Sequence, residues 1–217
     1  MKTKRLQTVT VKTFLPIMLA MSGLLAGSGL HAQIYVAGIG GAESTALEEY
    51  DRSGNLLNST TLSFTEMGGS MALAGTDLFA IDGYTSAIAE ISVAIPGTIG
   101  VINNSFIPVS DVSNGADGGI VASGTDLFVL TGGGIGEYTT SGQTVNASLV
   151  TDVNSPFSIA ISGSDIFVLN WDNGITSVGE YTTSGQTVNA SLITGLGDVQ
   201  GIAISGTNLY VGQTGLD

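Results

Sequence analysis

Carboxylates are nearly the only side chains in this sequence with chemistry to offer. The chain holds 18 Asp and Glu against 5 Lys and Arg, one histidine and no cysteine. Four of the cations (Lys2, Lys4, Arg5, Lys12) and His31 lie in the first 32 residues. From Gln33 onward Arg52 is the one cation against 18 carboxylates, a formal charge of −17. With no imidazole, thiol or amine in that stretch, the usual general base, thiolate nucleophile, Schiff base and soft-metal site are missing. What remains is carboxylate chemistry and hard cations such as Ca²⁺, held by Asp, Asn and backbone oxygens.

Five residues are the candidate ligand contacts: Asp82, Asp117, Trp171, Asp172 and Asp198. The carboxylates would receive a cation or a polyhydroxyl ligand. Trp171, the single tryptophan, would offer a stacking surface. No catalytic residue is assigned, and Ca²⁺ is the only cofactor for which donors exist. The run "SDVSNGADGG" (110–119) spaces acidic and amide side chains by three but lacks the terminal Glu of an EF-hand. The glycine-rich "GIGG" and "TGGGIG" lack the following lysine and helix that a phosphate cradle needs.

These residues must be positioned by a repeat. "GEYTTSGQTVNASL" occurs at 136–149 and again, unchanged, at 179–192. A second phrase recurs as "LAGTDLFAID", "ASGTDLFVLT", "ISGSDIFVLN" and "ISGTNLYVGQ", each with an aromatic four residues after its glycine: Phe79, Phe128, Phe167 and Tyr210. "IYVAG" puts Tyr35 in the same place. A glutamate recurs at 49, 90, 137 and 180. The spacing from glutamate to the next anchoring glycine is constant in three repeats (49→75, 137→163, 180→206), so variation is confined to particular loops.

Each unit reads as four short strands, a to d, rich in Thr, Val, Ile, Tyr and Phe and punctuated by Gly, Ser, Asn and Asp. Strands a and b are apolar without alternation, as strands covered on both faces are; c and d are polar-rich and expected to lie outside. The repeated glutamates are expected at outward-facing positions, and the Asp or Asn at 77, 126, 165 and 208 in tight a–b turns. An all-β fold of four-stranded antiparallel units repeating every ~40–50 residues implies a β-propeller. Units fall at about 33–70, 71–118, 119–157 and 158–200, with a partial unit at 201–217.

The order "GIAIS–G–NLYV–GEYTTSG" resembles NHL-type repeat propellers. It resembles more closely the exported "GEYTTSG…VNASLI" repeat proteins of environmental bacteria, in which a C-terminal sorting tail is common. Such a tail is not seen in this sequence. Starting from Ile34 the strand order is b-c-d, three full units, then a-b, so about four blades are present, and the order is that of a four-blade ring with a spare strand or, as expected here, of a piece of a larger ring.

Residues 1–32 read as a secretory signal peptide: a basic start, the apolar run "FLPIMLAMSGLLAG", and a small residue before Gln33. The chain is therefore expected to be secreted or displayed at the cell surface, with no membrane insertion once the leader is removed. Its negative charge excludes nucleic acid, since phosphate contacts need cations. The expected function is non-catalytic: binding of a protein, polysaccharide or cation through an acidic loop face, as a surface or matrix component. The alternative is a metal-dependent lactonase- or lyase-like propeller enzyme.

Overall fold

The computed structural model describes residues 18–21, 33–40, 44–62, 67–82, 85–95, 98–109 and 118–213. All regular structure there is strand. The first sheet is β1 (Met18–Met21), β2 (Gln33–Gly40), β3 (Ser44–Asp51) and β4 (Leu56–Leu62). The second is β5 (Met67–Ala74), β6 (Asp77–Asp82), β7 (Ala87–Ile95) and β8 (Thr98–Pro108). The third is β9 (Ile120–Ser123), β10 (Asp126–Thr131), β11 (Gly134–Thr139) and β12 (Thr144–Val150). The fourth is β13 (Pro156–Ser162), β14 (Asp165–Asp172), β15 (Ile175–Thr182) and β16 (Thr187–Leu196). β17 (Val199–Ser205) and β18 (Asn208–Gln213) pair as a two-stranded sheet. Within each sheet, neighbours in sequence pair antiparallel, as four-stranded blades require.

One phrase per blade makes the a–b turn. Ala74 pairs with Asp77, leaving Gly75 and Thr76 as a two-residue loop, with Gly75 at φ +63°. Gly124, Gly163 and Gly206 repeat that value within a few degrees. A first loop residue with positive φ and a second without is the pattern of a II′ hairpin, which favours glycine at that place. The c–d turn is equally conserved in form. Thr139 accepts the amide of Gly142 on its carbonyl and that of Gln143 on its hydroxyl; Thr182 does the same for Gly185 and Gln186. In the first blade Asp51 takes over, accepting from the amides of Ser53 and Asn55. Those hydrogen bonds, from Asn55 above all, hold its carboxyl below the ordinary range.

The sheets stack face to face under a single rule. Tyr35 packs against Leu78, Ala80 and Ile91 of the second blade. Phe79 packs against Leu127, Val129 and Tyr138 of the third. Phe128 packs against Ile166, Val168 and Tyr181 of the fourth, and Phe167 against Leu209 and Val211 of the last sheet. So the strand-b aromatic of each blade is roofed by the other face of strand b, and in three of the four cases by a large strand-c residue, in the blade that follows. Phe79 and Phe128 are each 1% exposed. Burying one such ring contributes roughly 1.5–3 kcal/mol, and the rule accounts for the lack of alternation in strand b. Ser70 adds a polar tie between blades: its hydroxyl accepts the Ile120 amide at 2.7 Å.

Two expectations are corrected. Strand c is not an outer, wet strand; Ile135, Tyr138, Val178 and Tyr181 are buried, and only strand d is largely exposed. The repeated glutamates do not face outward either. Each sits directly across from the aromatic (Tyr35↔Glu49, Phe79↔Glu90, Phe128↔Glu137, Phe167↔Glu180), on the face turned to the next blade. Glu49 is fully buried and the other three half-buried. Desolvation first, and the nearby Asp77 and Asp126 second, push the Glu90 and Glu137 carboxyls up.

Met18–Met21, inside the stretch read as a leader, form the strand-a position of the first blade. Ala20 stands opposite Tyr35 just as Ala72 stands opposite Phe79. The rest of 1–32 lies outside the described residues.

Candidate functional site

The b–c connections are built differently from blade to blade while the frame stays constant. In the fourth blade β14 and β15 pair without a break to Asp172↔Ile175, leaving Asn173 and Gly174 as the loop. Both have positive φ, 48° and 87°. Asn-Gly with that geometry is the I′ turn, matched to the right-handed twist of the strands it joins. The stretch "NWDNGITS" is therefore an extended hairpin rather than an open loop. It carries Trp171 clear of the body, 52% exposed, with Ile175 exposed on the hairpin's other face. The Trp171 amide donates to the Ser155 carbonyl at 3.2 Å, fixing the hairpin to the start of its own blade. Asp172 accepts from the Asn173 side chain at 2.8 Å.

Behind these hairpins lies a row of buried polar residues, of which the sequence singles out Asp82 alone. The third residue after the strand-b aromatic is Asp82, Thr131 or Asn170 in successive blades, and all three are buried. Asp82 accepts the Thr85 hydroxyl at 2.7 Å within its b–c connection. Asn170 is hydrogen-bonded to the Tyr181 hydroxyl, while its Oδ1 is buried with no hydrogen-bond partner. Burial pushes the Tyr181 phenol up; the Asn170 hydrogen bond opposes that shift, and nearby Asp152 adds to it. The signal was available: counting three on from each aromatic finds a polar residue in these blades. It was hidden because Asp82, Thr131 and Asn170 share polarity but no residue type.

Space for the tyrosine comes from glycine. A Cβ on Gly179 would stand 2.8 Å from the Tyr181 ring and hydroxyl, and Gly136 has the same relation to Tyr138. The ring lies back over the glycine two residues earlier on the same strand, covering backbone that would otherwise be bare. This is why "GEY" recurs as a unit.

The five candidate residues do not gather at one point. Trp171 and Asp172 are adjacent on the fourth-blade hairpin. Asp82 is buried in the second blade, and Asp198 is exposed in the bend between β16 and β17. Asp117 lies outside the described residues, as do Glu43, Glu66 and Asp111. Among the described residues, no three acidic, histidine or cysteine side chains are close enough together to hold a metal ion.

Four-stranded antiparallel blades stacked face to face define a β-propeller, and solved structures agree. The chain is similar to a nidogen/laminin complex structure with TM-score 0.64 and 16% identity, over 90% of this chain and 70% of that one. It is similar to the CNH domain of AfRom2 with TM-score 0.53 and 10% identity, over 87% of this chain and 59% of that one. Identities this low speak for the fold alone. No protein-family model matches the sequence, and no curated protein does.

Proposed function

We propose that this is an exported, non-catalytic propeller that binds a ligand through its b–c loop face, as a cell-surface or matrix component. The carrying observation is the fourth-blade hairpin, a rigid I′ turn that holds Trp171 in solvent above the buried Asn170–Tyr181 pair. An exposed indole on a stiff support is a stacking platform whose ordering entropy is already met by the fold. Asp172 and Asn173 follow in the same hairpin, with Asp172 on the face opposite Trp171, and add acceptors and donors suited to hydroxyl groups at the turn. A neutral polysaccharide therefore fits this hairpin better than an anionic one, which a chain with one cation beyond residue 32 would repel. The exported location rests on the leader reading of 1–32, and removal of that leader would take β1 with it and leave the first blade as β2, β3 and β4. Ca²⁺ remains the metal proposed for the acidic connections that include Asp82, Asp117 and Asp198.

Trp171 is the only tryptophan, so its fluorescence reports this hairpin alone. Titration with neutral oligosaccharides should shift or quench the emission, and Trp171→Ala should abolish binding measured by calorimetry. A separate titration with CaCl₂ should raise the melting temperature. Unchanged emission across the oligosaccharides would refute the stacking reading, and an unchanged melting temperature at millimolar Ca²⁺ would refute the metal.

A further inference from the structure

Every asparagine of the chain that is followed two residues later by serine or threonine lies at one position of strand d. Asn58 is followed by Thr60, Asn103 by Ser105, Asn146 by Ser148 and Asn189 by Ser191. Each of these asparagines stands across from the repeated glutamate of its own blade: Glu49↔Asn58, Glu90↔Asn103, Glu137↔Asn146 and Glu180↔Asn189. The residue between varies (Ser59, Asn104, Ala147, Ala190), and so do the strands around it, from "LLNSTTL" to "TIGVINNSFIP" to "TVNASLV". The asparagine and the hydroxyl persist where their neighbours have diverged. Local structure accounts for the first and not for the second. In three blades the asparagine Oδ1 accepts the backbone amide two residues on, at 3.0 Å in Asn103, 3.1 Å in Asn146 and 3.0 Å in Asn189. Any residue except proline supplies that amide, so the turn needs no hydroxyl. Among the described residues, the hydroxyls of Thr60, Ser105, Ser148 and Ser191 make no hydrogen bond.

We propose that Asn103, Asn146 and Asn189 carry N-linked glycans, attached by the cell that exports the chain. An asparagine with a hydroxyl two residues on, and no proline between, is the acceptor that this chemistry reads, and it uses the hydroxyl that the fold does not. The three side chains are exposed. Asn103 and Asn146 are so although a complete blade follows each of theirs. Asn58 is half-buried and lacks the amide bond, so it is not included. Because Oδ1 takes the amide, Nδ2 has no hydrogen bond to give up when it is substituted. The co-reactant is a sugar activated as a glycosyl diphosphate. The Nδ2–C1 bond forms as the C1–O bond breaks, the diphosphate leaves with the electron pair, and the amide loses one proton. An exposed aliphatic residue stands directly before each site: Ile102, Val145 and Val188, 53–57% exposed. A bulky, hydrophilic glycan would screen these apolar side chains on the outer rim. The proposal rests on the export reading, since it is the exporting cell that supplies the transferase.

The test is peptide mass mapping of the protein as its producing cell makes it, with electron-transfer fragmentation to assign each modified residue. Peptides containing Asn103, Asn146 and Asn189 should carry sugar mass on the asparagine. Ser148→Ala keeps the backbone amide that holds the turn and removes only the hydroxyl. It should abolish the sugar at Asn146, leave that at Asn103 unchanged and preserve the circular dichroism; Ser148→Thr should keep all three sites occupied. Sugar-free asparagines at all three positions, in protein recovered outside the cell and cut at the leader, overturn the proposal and leave export standing. So does sugar at Asn146 that survives Ser148→Ala, or sugar mapped to the hydroxyls instead. Protein held inside the cell with residues 1–32 attached refutes the export reading, and this proposal with it.

Discussion

Three glycines hold the same place in the c–d turn, at 54, 142 and 185, with φ of +81°, +88° and +83°. Local sequence gives them one role, yet replacing each with alanine should have different costs. A left-handed alanine costs roughly 1–2 kcal/mol, offset by about 0.4–1 kcal/mol from stiffening the unfolded chain. Gly54 has no heavy atom within 4 Å of where its Cβ would sit, so Gly54→Ala should cost only this net of about 1 kcal/mol. Gly142 faces the Phe106 ring at 3.0 Å, and a ring edge can give by a few tenths of an ångström. Gly185 faces the backbone carbonyl oxygen of Leu149, on strand d of the preceding blade, at 2.6 Å. Backbone in a sheet yields less readily, and overpacking adds about 1–3 kcal/mol. Gly185→Ala should therefore lose about 2–4 kcal/mol, with Gly142→Ala between the two. Urea unfolding followed by circular dichroism, with the midpoint shift multiplied by the common slope, measures each loss. If Gly54→Ala and Gly185→Ala agree within about 0.5 kcal/mol, the turns do not rest on the preceding blade and the stacking rule is wrong.

Phe128→Ala removes a ring sealed between two blades and should cost about 3–5 kcal/mol, lowering the melting temperature by roughly 6–20 °C; a loss below about 1 kcal/mol would mean the blades do not pack through this residue. Glu137 has a carboxyl pushed up by burial and by Asp126, so its charged form is disfavoured in the folded state. Its favourable contribution is complete below the unfolded pKa and is lost as pH rises through the folded one. Glu137→Gln should therefore raise the melting temperature at pH 7 and change it little near pH 3; equal effects at both would contradict the burial seen here.

The fold was legible because the repeated phrases combine turn chemistry with core residues: glycine at the II′ turn, an aromatic four residues on, and glycine before tyrosine in strand c. What could not be read was which face each residue took. In "GIGEYT" a strand buried on both faces looks polar, because two of its six residues are glycines, Gly136 covered by the Tyr138 ring and Gly134 by the backbone at Val150. Glu137 looks like a surface residue, and only the direct pairing with Phe128 reveals that it faces the next blade. Asp82 stands out as a carboxylate, but Thr131 and Asn170 do not reveal themselves as its counterparts, because the three have polarity in common and nothing else. Trp171 stands out by being unique, while the rigidity of its support follows only from the unbroken pairing to Asp172↔Ile175 and the positive φ of Asn173 and Gly174.

Strand d carries an arrangement that bears on how such molecules can grow. In three blades an asparagine accepts the amide of the serine two residues later: Asn103 with Ser105, Asn146 with Ser148, and Asn189 with Ser191. The pairing with strand c shifts register at the same place. These outer strands contain no charged residue, yet each has closed part of its rim with its own side chain, and a bulged, self-bonded rim is a poor template for another strand. Lengthening sideways into a flat ribbon is thus discouraged in these three blades, whose exposed edges offer little to a further strand.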